Sequence, residues 1–535
     1  MFDSNCTRNK SNNVYGHRYG KLLLEKYEAF KDAEKEVTEL VLCVQSHWIK
    51  MSKQLGFLRR VWETLDEDHQ IMQNQVLQVL VSKLREAVVK IEGVLHKRDD
   101  KYKTTPNNDS TGNHGDVKRW KYALVKDCLE KAVQDLDRWQ NTFDPTWFLI
   151  MKIADPVIDQ QLAEESTNSS SISTAKGLRG ALADEPKEKT SIFLPENGLY
   201  LAKRHEIPYS TAQMMRRPNS TKDIILDPVV CDASADVPTM TKDVRDLARR
   251  LSQTDPLTFG LLSCRGVVKT LSANSKRVGS FDFIFNVPEG LTQPKSLRSI
   301  LITGDSNHAL SDRFKVAKQL AKSVNYIHTY QFVHKNIRPE TIVVFQDRNS
   351  VLGAPFLLGF QKFRFVEGKT KRLGDSEWER DLYRHPRRQG LNPEEDYKMQ
   401  HDIYSLGVCL LEIGLWISFV NYDDNADGAL PSSVLCNVDF SGKDKVKKAF
   451  DIKNTLVNLA REQLPSRMGH MYTDIVVNCL TCLDSFNVDF GDENEFQDAD
   501  GVLVGVRYIE KVSPQPEPKS ESETNRTRSC IKSTE

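Results

Sequence analysis

The stretch Phe332–Phe345, FVHKNIRPETIVVF, sets a histidine, an amide, a guanidinium, a carboxylate and a hydroxyl close together ahead of an apolar run. His334 is the group there that could act as a base near neutral pH, and a packed histidine is the plainer reading of it. Asn336 cannot take a proton from a hydroxyl, because its amide is not a base. Arg338 supplies a positive charge, and Thr341 offers a hydroxyl, a weak ligand for a metal. Downstream, Gly359 offers no side chain and Phe360 reads as a packing residue. Asp402 opens an apolar helix, where a buried carboxylate meets unpaired backbone N–H groups.

The elements around these residues follow from spacing. Phe314, Ala317, Ala321, Val324 and Ile327 form a helical stripe ending at His328. Ile342–Phe345 reads as a strand that pairs across a turn with Phe356–Leu358, and HDIYSLGVCLLEIGLW, from His401, reads as a buried helix. Upstream, short apolar runs broken by Gly and Pro read as strands at Gly198–Ala202, Ile224–Cys231, Leu261–Lys269 and Phe281–Val287, with a helix over Val244–Leu251.

FVHKNIRPETIVVF, Gly359-Phe360-Gln361, Tyr383-Arg384-His385-Pro386 and HDIYSLG together resemble the catalytic loop, metal-binding turn, post-activation segment and following helix of protein kinases. The resemblance implies an α+β bilobal fold over 191–510, with lobes at about 191–288 and 289–510. It also implies that Asn336 stands at the catalytic Asp, that Thr341 and Gly359 stand at the two metal ligands, and that Asp402, Pro386 and Phe360 have structural roles. No G-x-G-x-x-G is present; Gly177 and Gly180 sit in the wrong context. The strand lysine position falls near Cys231 or Asp232, where an acid would repel phosphates. Asp243 or Asp246 could stand for the helix carboxylate that pairs with that lysine. Phosphoryl transfer needs metal, lysine and base together, so conventional catalysis and a bound metal are not expected. ATP binding is left open, with no motif to support it.

The first part of the chain is a different kind of sequence. Apolar residues recur every three or four positions from Leu23 to Leu58, from Val61 to Leu95 and from Val117 to Trp139, with a loop over 101–116 and a fourth helix opening at Asp144-Pro145. Such helices pack as an antiparallel bundle over 1–165. The plain reading is a structural bundle or a dimerisation stalk. The order of segments, with LDRW and a Pro-containing last helix, resembles fungal HeLo-type domains, which implies membrane association in programmed cell death. A bundle before a kinase-like domain also resembles the mixed-lineage kinase domain-like family of cell-death executors. Residues 166–190, rich in Ser, Thr and charge, read as a flexible linker, and 511–535 as a disordered tail.

Across 535 residues, 74 Lys and Arg balance 74 Asp and Glu, which gives no reason to expect nucleic acid as partner. Ten cysteines without a repeated spacing argue against a disulfide scaffold, and the lone C-x-x-C at Cys479 and Cys482 argues against a metal site. A secretory leader and an apolar run long enough to span a bilayer are both absent from the sequence. The expectation is a cytoplasmic pseudokinase signalling protein that binds protein partners, self-associates through the bundle and reaches membranes through amphipathic faces. An active atypical kinase and a protein-binding scaffold are the alternatives.

Overall fold

The computed structural model describes residues 18–24, 35–96 apart from 66, parts of 126–180, and most of 191–487. The loop over 101–116, the strand over Gly198–Ala202 and the tail over 511–535 lie outside the described residues.

Every described secondary-structure element before residue 191 is helical. Helices α1 (Lys35–Val61) and α2 (Glu67–His96) are separated by a tight turn at Trp62–Thr64. Their three-and-four spacing buries Val44, Trp48, Met51, Leu55 and Leu58 on α1 and Leu77, Leu80, Leu84 and Val88 on α2. Helical residues 126–136 bring Leu129, Ala132 and Leu136 into the same interior. Trp139 Nε1 donates to the Val76 carbonyl at 2.7 Å, and Gln140 Nε2 to Gln54 Oε1 at 3.0 Å, so this segment is tied to both long helices. Helix α3 (Pro156–Glu164) packs on α1 and buries Ile158 and Leu162.

Within the stretch 166–190, read from the sequence as a linker, six residues are described. Residues 172, 175–177 and 179–180 are helical, with Ile172 and Ala175 buried. The polar composition of the stretch hides two apolar residues three apart, enough to seat one turn of helix.

From residue 191 the structure is mixed. A six-stranded sheet runs in the order β1-β5-β6-β4-β3-β2. Its strands are β1 (Phe193–Leu194), β2 (Lys203–Glu206), β3 (Gln213–Arg216), β4 (Asp223–Val230), β5 (Cys264–Leu271) and β6 (Val278–Asn286). Strands β2 and β3 carry KRHE and QMMR, which have no apolar alternation to mark them in the sequence. Helix α4 (Val237–Ser252) is capped by Asp236, whose side chain accepts from the Thr239 N–H. It packs Val244, Leu247, Ala248 and Leu251 against β5.

The helical remainder begins with β7 (Thr292–Ser296), α5 (Leu297–Thr303) and α6 (Leu310–Thr329). Strands β8 (Phe332–Val333), β9 (Ile342–Gln346), β10 (Ala354–Leu357) and β11 (Arg364–Phe365) form two small sheets, β10-β9-β7 and β11-β8. Ile342 pairs with Leu357 and Val344 with Pro355, the antiparallel pairing expected across this turn. Helix α7 (Met399–Leu415) is buried along its whole length, as a helix apolar on all sides must be. Helices α6, α8 (Lys445–Met468) and α9 (His470–Leu480) surround it.

Candidate functional site

The site lies where β4 of the sheet meets the turn after β10. Asp227 stands midway along β4 and is fully buried. Its Oδ2 accepts from the backbone N–H of Gly359 at 2.8 Å and of Phe360 at 3.2 Å. Its Oδ1 is buried without a hydrogen-bond partner. Burial pushes the carboxyl up to about 6, against the two N–H groups that favour its charge. Asp227 is the acid of β4 that meets the turn; Cys231 follows the last residue of β4, and Asp232 lies outside the described residues.

Gly359 is held in a conformation and a space that only glycine fits. Its φ is +80, and a Cβ would stand 2.3 Å from Thr341 Cγ2 and 3.3 Å from Asn336 Nδ2. A carboxylate side chain at 359 has no room on this backbone. Asn336 Nδ2 donates to the Gly359 carbonyl at 3.1 Å, and Arg338 Nε donates to Asn336 Oδ1 at 3.2 Å. Thr341 Oγ1 donates to the Asn336 carbonyl at 2.9 Å. Each of these polar groups is turned onto the loop itself.

Phe360 is buried beside Phe283, Phe285 and Phe363, with the His334 ring 4.9 Å away. His334 Nε2 donates to the Leu358 carbonyl at 3.0 Å. Burial pulls its imidazole down to about 4, so it is neutral at physiological pH and its acceptor nitrogen is enclosed.

Asp402 sits in the first turn of α7 and organises the loop. Its Oδ2 accepts from the backbone N–H of His334 at 2.7 Å, and its Oδ1 from that of Lys335 at 2.9 Å. Tyr397 donates its hydroxyl at 2.6 Å, and His328 Nε2 stands 3.1 Å away. Burial opposes the charge, but His328 and the other donors outweigh it and hold the carboxyl below its usual range. Lys335 has φ +63, a left-handed backbone that costs a lysine about 1 kcal/mol. Its N–H is one of the two that Asp402 fixes, so α7 stabilises the bend.

Pro386 begins a buried turn, Pro386–Arg388, in which the His385 side chain accepts from the Arg387 N–H. Asp246 pairs with its neighbour Arg245 at 3.2 Å. Gly177 packs on Gln253, and nothing lies within 4 Å of the Cβ position of Gly180. Cys479 and Cys482 are buried free thiols, and Cys482 Sγ donates to the Gln400 carbonyl at 3.2 Å. Among the described residues, no group of three or more His, Cys, Asp and Glu could hold a metal ion.

One constellation has no local signal in the sequence. Arg298 of α5 is fully buried. It donates to Glu340 Oε1 at 3.0 Å, Glu412 Oε1 at 2.9 Å and Ser418 Oγ at 2.6 Å, and to the Tyr383 hydroxyl. Tyr383 in turn donates to Glu412 Oε2 at 2.9 Å. Burial works against the guanidinium charge, yet Tyr383 and the two carboxylates raise its affinity for the proton further. The network joins α5, the loop, the 383 segment and α7.

No family model matches the chain, and no curated protein does. Among solved structures it is similar to the twitchin kinase region from C. elegans (Fn31-NL-kin-CRD-Ig26), at 12% identity and a TM-score of 0.37, over 64% of this chain and 51% of that one. The chain thus spans about half the length of that structure. The likeness is weak and coarse, a helix-rich chain with mixed sheets in its second half beside a kinase region.

Proposed function

We propose that the chain is a catalytically silent kinase-like signalling protein, in which the region from 191 onward governs the N-terminal helices. The observation that carries this reading is the Asp227 carboxylate seated on the N–H groups of Gly359 and Phe360. The negative charge and the filled turn stand where a phosphoryl-transfer site would set a lysine and a metal-binding carboxylate. Asn336, Arg338 and Thr341 are spent on one another, which suits a loop that serves folding.

The output would be carried by the helices before residue 166. Leu42 and Ile49, seven apart on α1, are each more than half exposed, an apolar edge suited to a second copy or to a membrane surface. No described helix is long and apolar enough to cross a membrane, so such contact would be interfacial.

Labelled ATP and Mg²⁺ added to the full chain and to Asn336→Ala test the reading. The expected result is no incorporation and no rise in thermal stability with Mg²⁺–ATP. Transfer by the unaltered chain that Asn336→Ala abolishes would establish an active kinase instead. Association of the full chain with anionic vesicles then separates a membrane effector from a scaffold.

A further inference from the structure

The turn between β2 and β3, at the edge of the large sheet, is held down on the helical part by two contacts. It runs over 207–212 and is closed on itself by the Ser210 N–H, which donates to the Ile207 carbonyl at 2.9 Å. Ile207 and Ala212 at its ends are buried in the main core, while Tyr209 at its tip is 41% exposed. Tyr209 has φ +63, in the left-handed region where a residue with a Cβ is strained. Glycine or asparagine is what such a turn position ordinarily takes. A tyrosine kept there gains from where the turn aims its ring. That ring lies 5.0 Å from the ring of Tyr422 on β12 (Val420–Tyr422), inclined at 30°, an aromatic pair. Beside it, Ser296 Oγ donates to the Pro208 carbonyl at 2.5 Å. Ser296 is itself fixed, since its Oγ accepts from the Ser299 N–H at 3.1 Å where it caps α5.

The two sides of the tyrosine pair differ in how firmly they are held. Tyr422 stands opposite Ala429 of β13 (Ala429–Pro431). Its hydroxyl donates to Glu340 Oε1 at 3.4 Å, the oxygen to which Arg298 donates at 3.0 Å. The buried network is therefore its footing. Tyr209 stands on the last two strands of the sheet. β2 pairs with β3 alone, and β3 meets β4 over 213–216 only. Residues 204–206 are exposed on both faces of β2, and a hairpin so placed is marginal by itself. The ring contact offsets the strain at Tyr209 with little to spare. The closed turn then rests on the Pro208 bond and on Ile207 and Ala212.

We propose that residues 203–216 form a flap, latched shut by Tyr209 on Tyr422, which opens while the rest of the sheet stays in place. Opening relaxes the backbone of Tyr209 and uncovers Ile207, Ala212 and, on β4, Ile225, an apolar corner between the sheet and the helical part. The flap controls access to that corner, and it operates whether or not the chain transfers phosphate.

Hydrogen exchange on the full chain tests the flap. Tyr422→Ala removes the fixed ring, and Tyr209→Asn keeps a residue that tolerates the left-handed backbone but has no ring to stack. Exchange at 203–216 is expected to quicken about three- to tenfold in either variant, with 264–271 and 278–286 unchanged. The double variant should exchange no faster than the quicker single one, because both changes remove the same contact. Unchanged exchange at 203–216 overturns the flap. An equal quickening at 264–271 and 278–286 also overturns it, since that marks a general loss of stability, and so do additive effects in the double variant. Should Tyr422→Ala fail to fold, Tyr209→Asn, which alters an exposed side chain, decides by the same segments.

Discussion

The carboxylate of Asp227 accepts a hydrogen bond from the Gly359 N–H at 2.8 Å across 132 residues of sequence. One acid on a strand of the large sheet thereby fixes the turn that follows β10 in the helical part. The contact gives the backbone N–H groups of that turn an acceptor belonging to the chain itself.

Asp227→Ala leaves two buried N–H groups without an acceptor, which should cost about 2–4 kcal/mol. Asp227→Asn should cost less, since its amide oxygen can still accept. Urea unfolding of both variants checks the order, and equal stability of Asp227→Ala and the unaltered chain would show that the contact contributes nothing.

Acidification should weaken the fold, through two opposed groups. His334 has a folded value of about 4 against an ordinary 6.5, so the unfolded chain binds more protons between them. Stability from His334 is then lost as pH falls from 6.5 towards 4, by about 3 kcal/mol. Asp227 has a folded value of about 6 against 3.8, so its contribution runs the other way, gaining about 3 kcal/mol as pH falls through the same range. The pair nearly cancels. His385, held down to about 3 by burial, and His401, held well below its usual value by burial, share the sign of His334 and tip the balance. Melting temperature should therefore fall between pH 7 and 5, and fall further in Asp227→Asn, which lacks the offset. A shallower pH dependence in Asp227→Asn would contradict the assignment.

Gly359→Ala places a Cβ at φ +80 and against Thr341 Cγ2. A loss of about 2–4 kcal/mol is expected from the left-handed backbone and the overlap together. Thr341→Ser in the same chain removes Cγ2 and should return part of it. Gly359→Asp, which restores a carboxylate in name, should lower stability and still show no Mg²⁺-dependent shift with ATP. A clear shift would mean that the turn can open to admit metal.

Arg298→Ala strands Glu340 and Glu412 as buried charges. The expected cost is about 3–5 kcal/mol. Combining it with Glu412→Gln should cost much less than the sum of the two single changes, because they share one network. Additive losses in urea would show that the groups act separately.

The positions that could be read from the sequence are those whose partners lie close by in a local pattern. The loop at 334–341, the β9–β10 pairing and the apolar helix opened by Asp402 each carry their own spacing, and so does the stripe of α6. The heptad-like stripes of α1 and α2 are legible for the same reason, although their separation at Trp62–Thr64 is not marked by Gly or Pro. Strand β2 escapes because it is a polar edge strand, and β3 because Met215 is the one buried residue among its four, too few to show an alternation.

Within 166–190, Ile172 and Ala175 are outnumbered by polar neighbours, yet among the described residues of that stretch both are buried. Asp227 shows a different limit. The resemblance directed attention to Cys231 or Asp232, whereas the acid that meets the turn is Asp227, within β4. Depth under the sheet depends on where β4 meets the turn at Gly359, and no local rule contains that distance.

The chain's residue types alone determined that this cleft lacks a base at Asn336 and a carboxylate at Gly359, because chemistry resides in the side chains present. Only the tertiary structure decided that Asp227 fills the turn, that Arg298 gathers Glu340 and Glu412, and that Phe193 pairs with Val267 of β5. Those contacts join residues far apart in sequence, and burial selects among such pairings by shape and desolvation, which act only once the elements have packed.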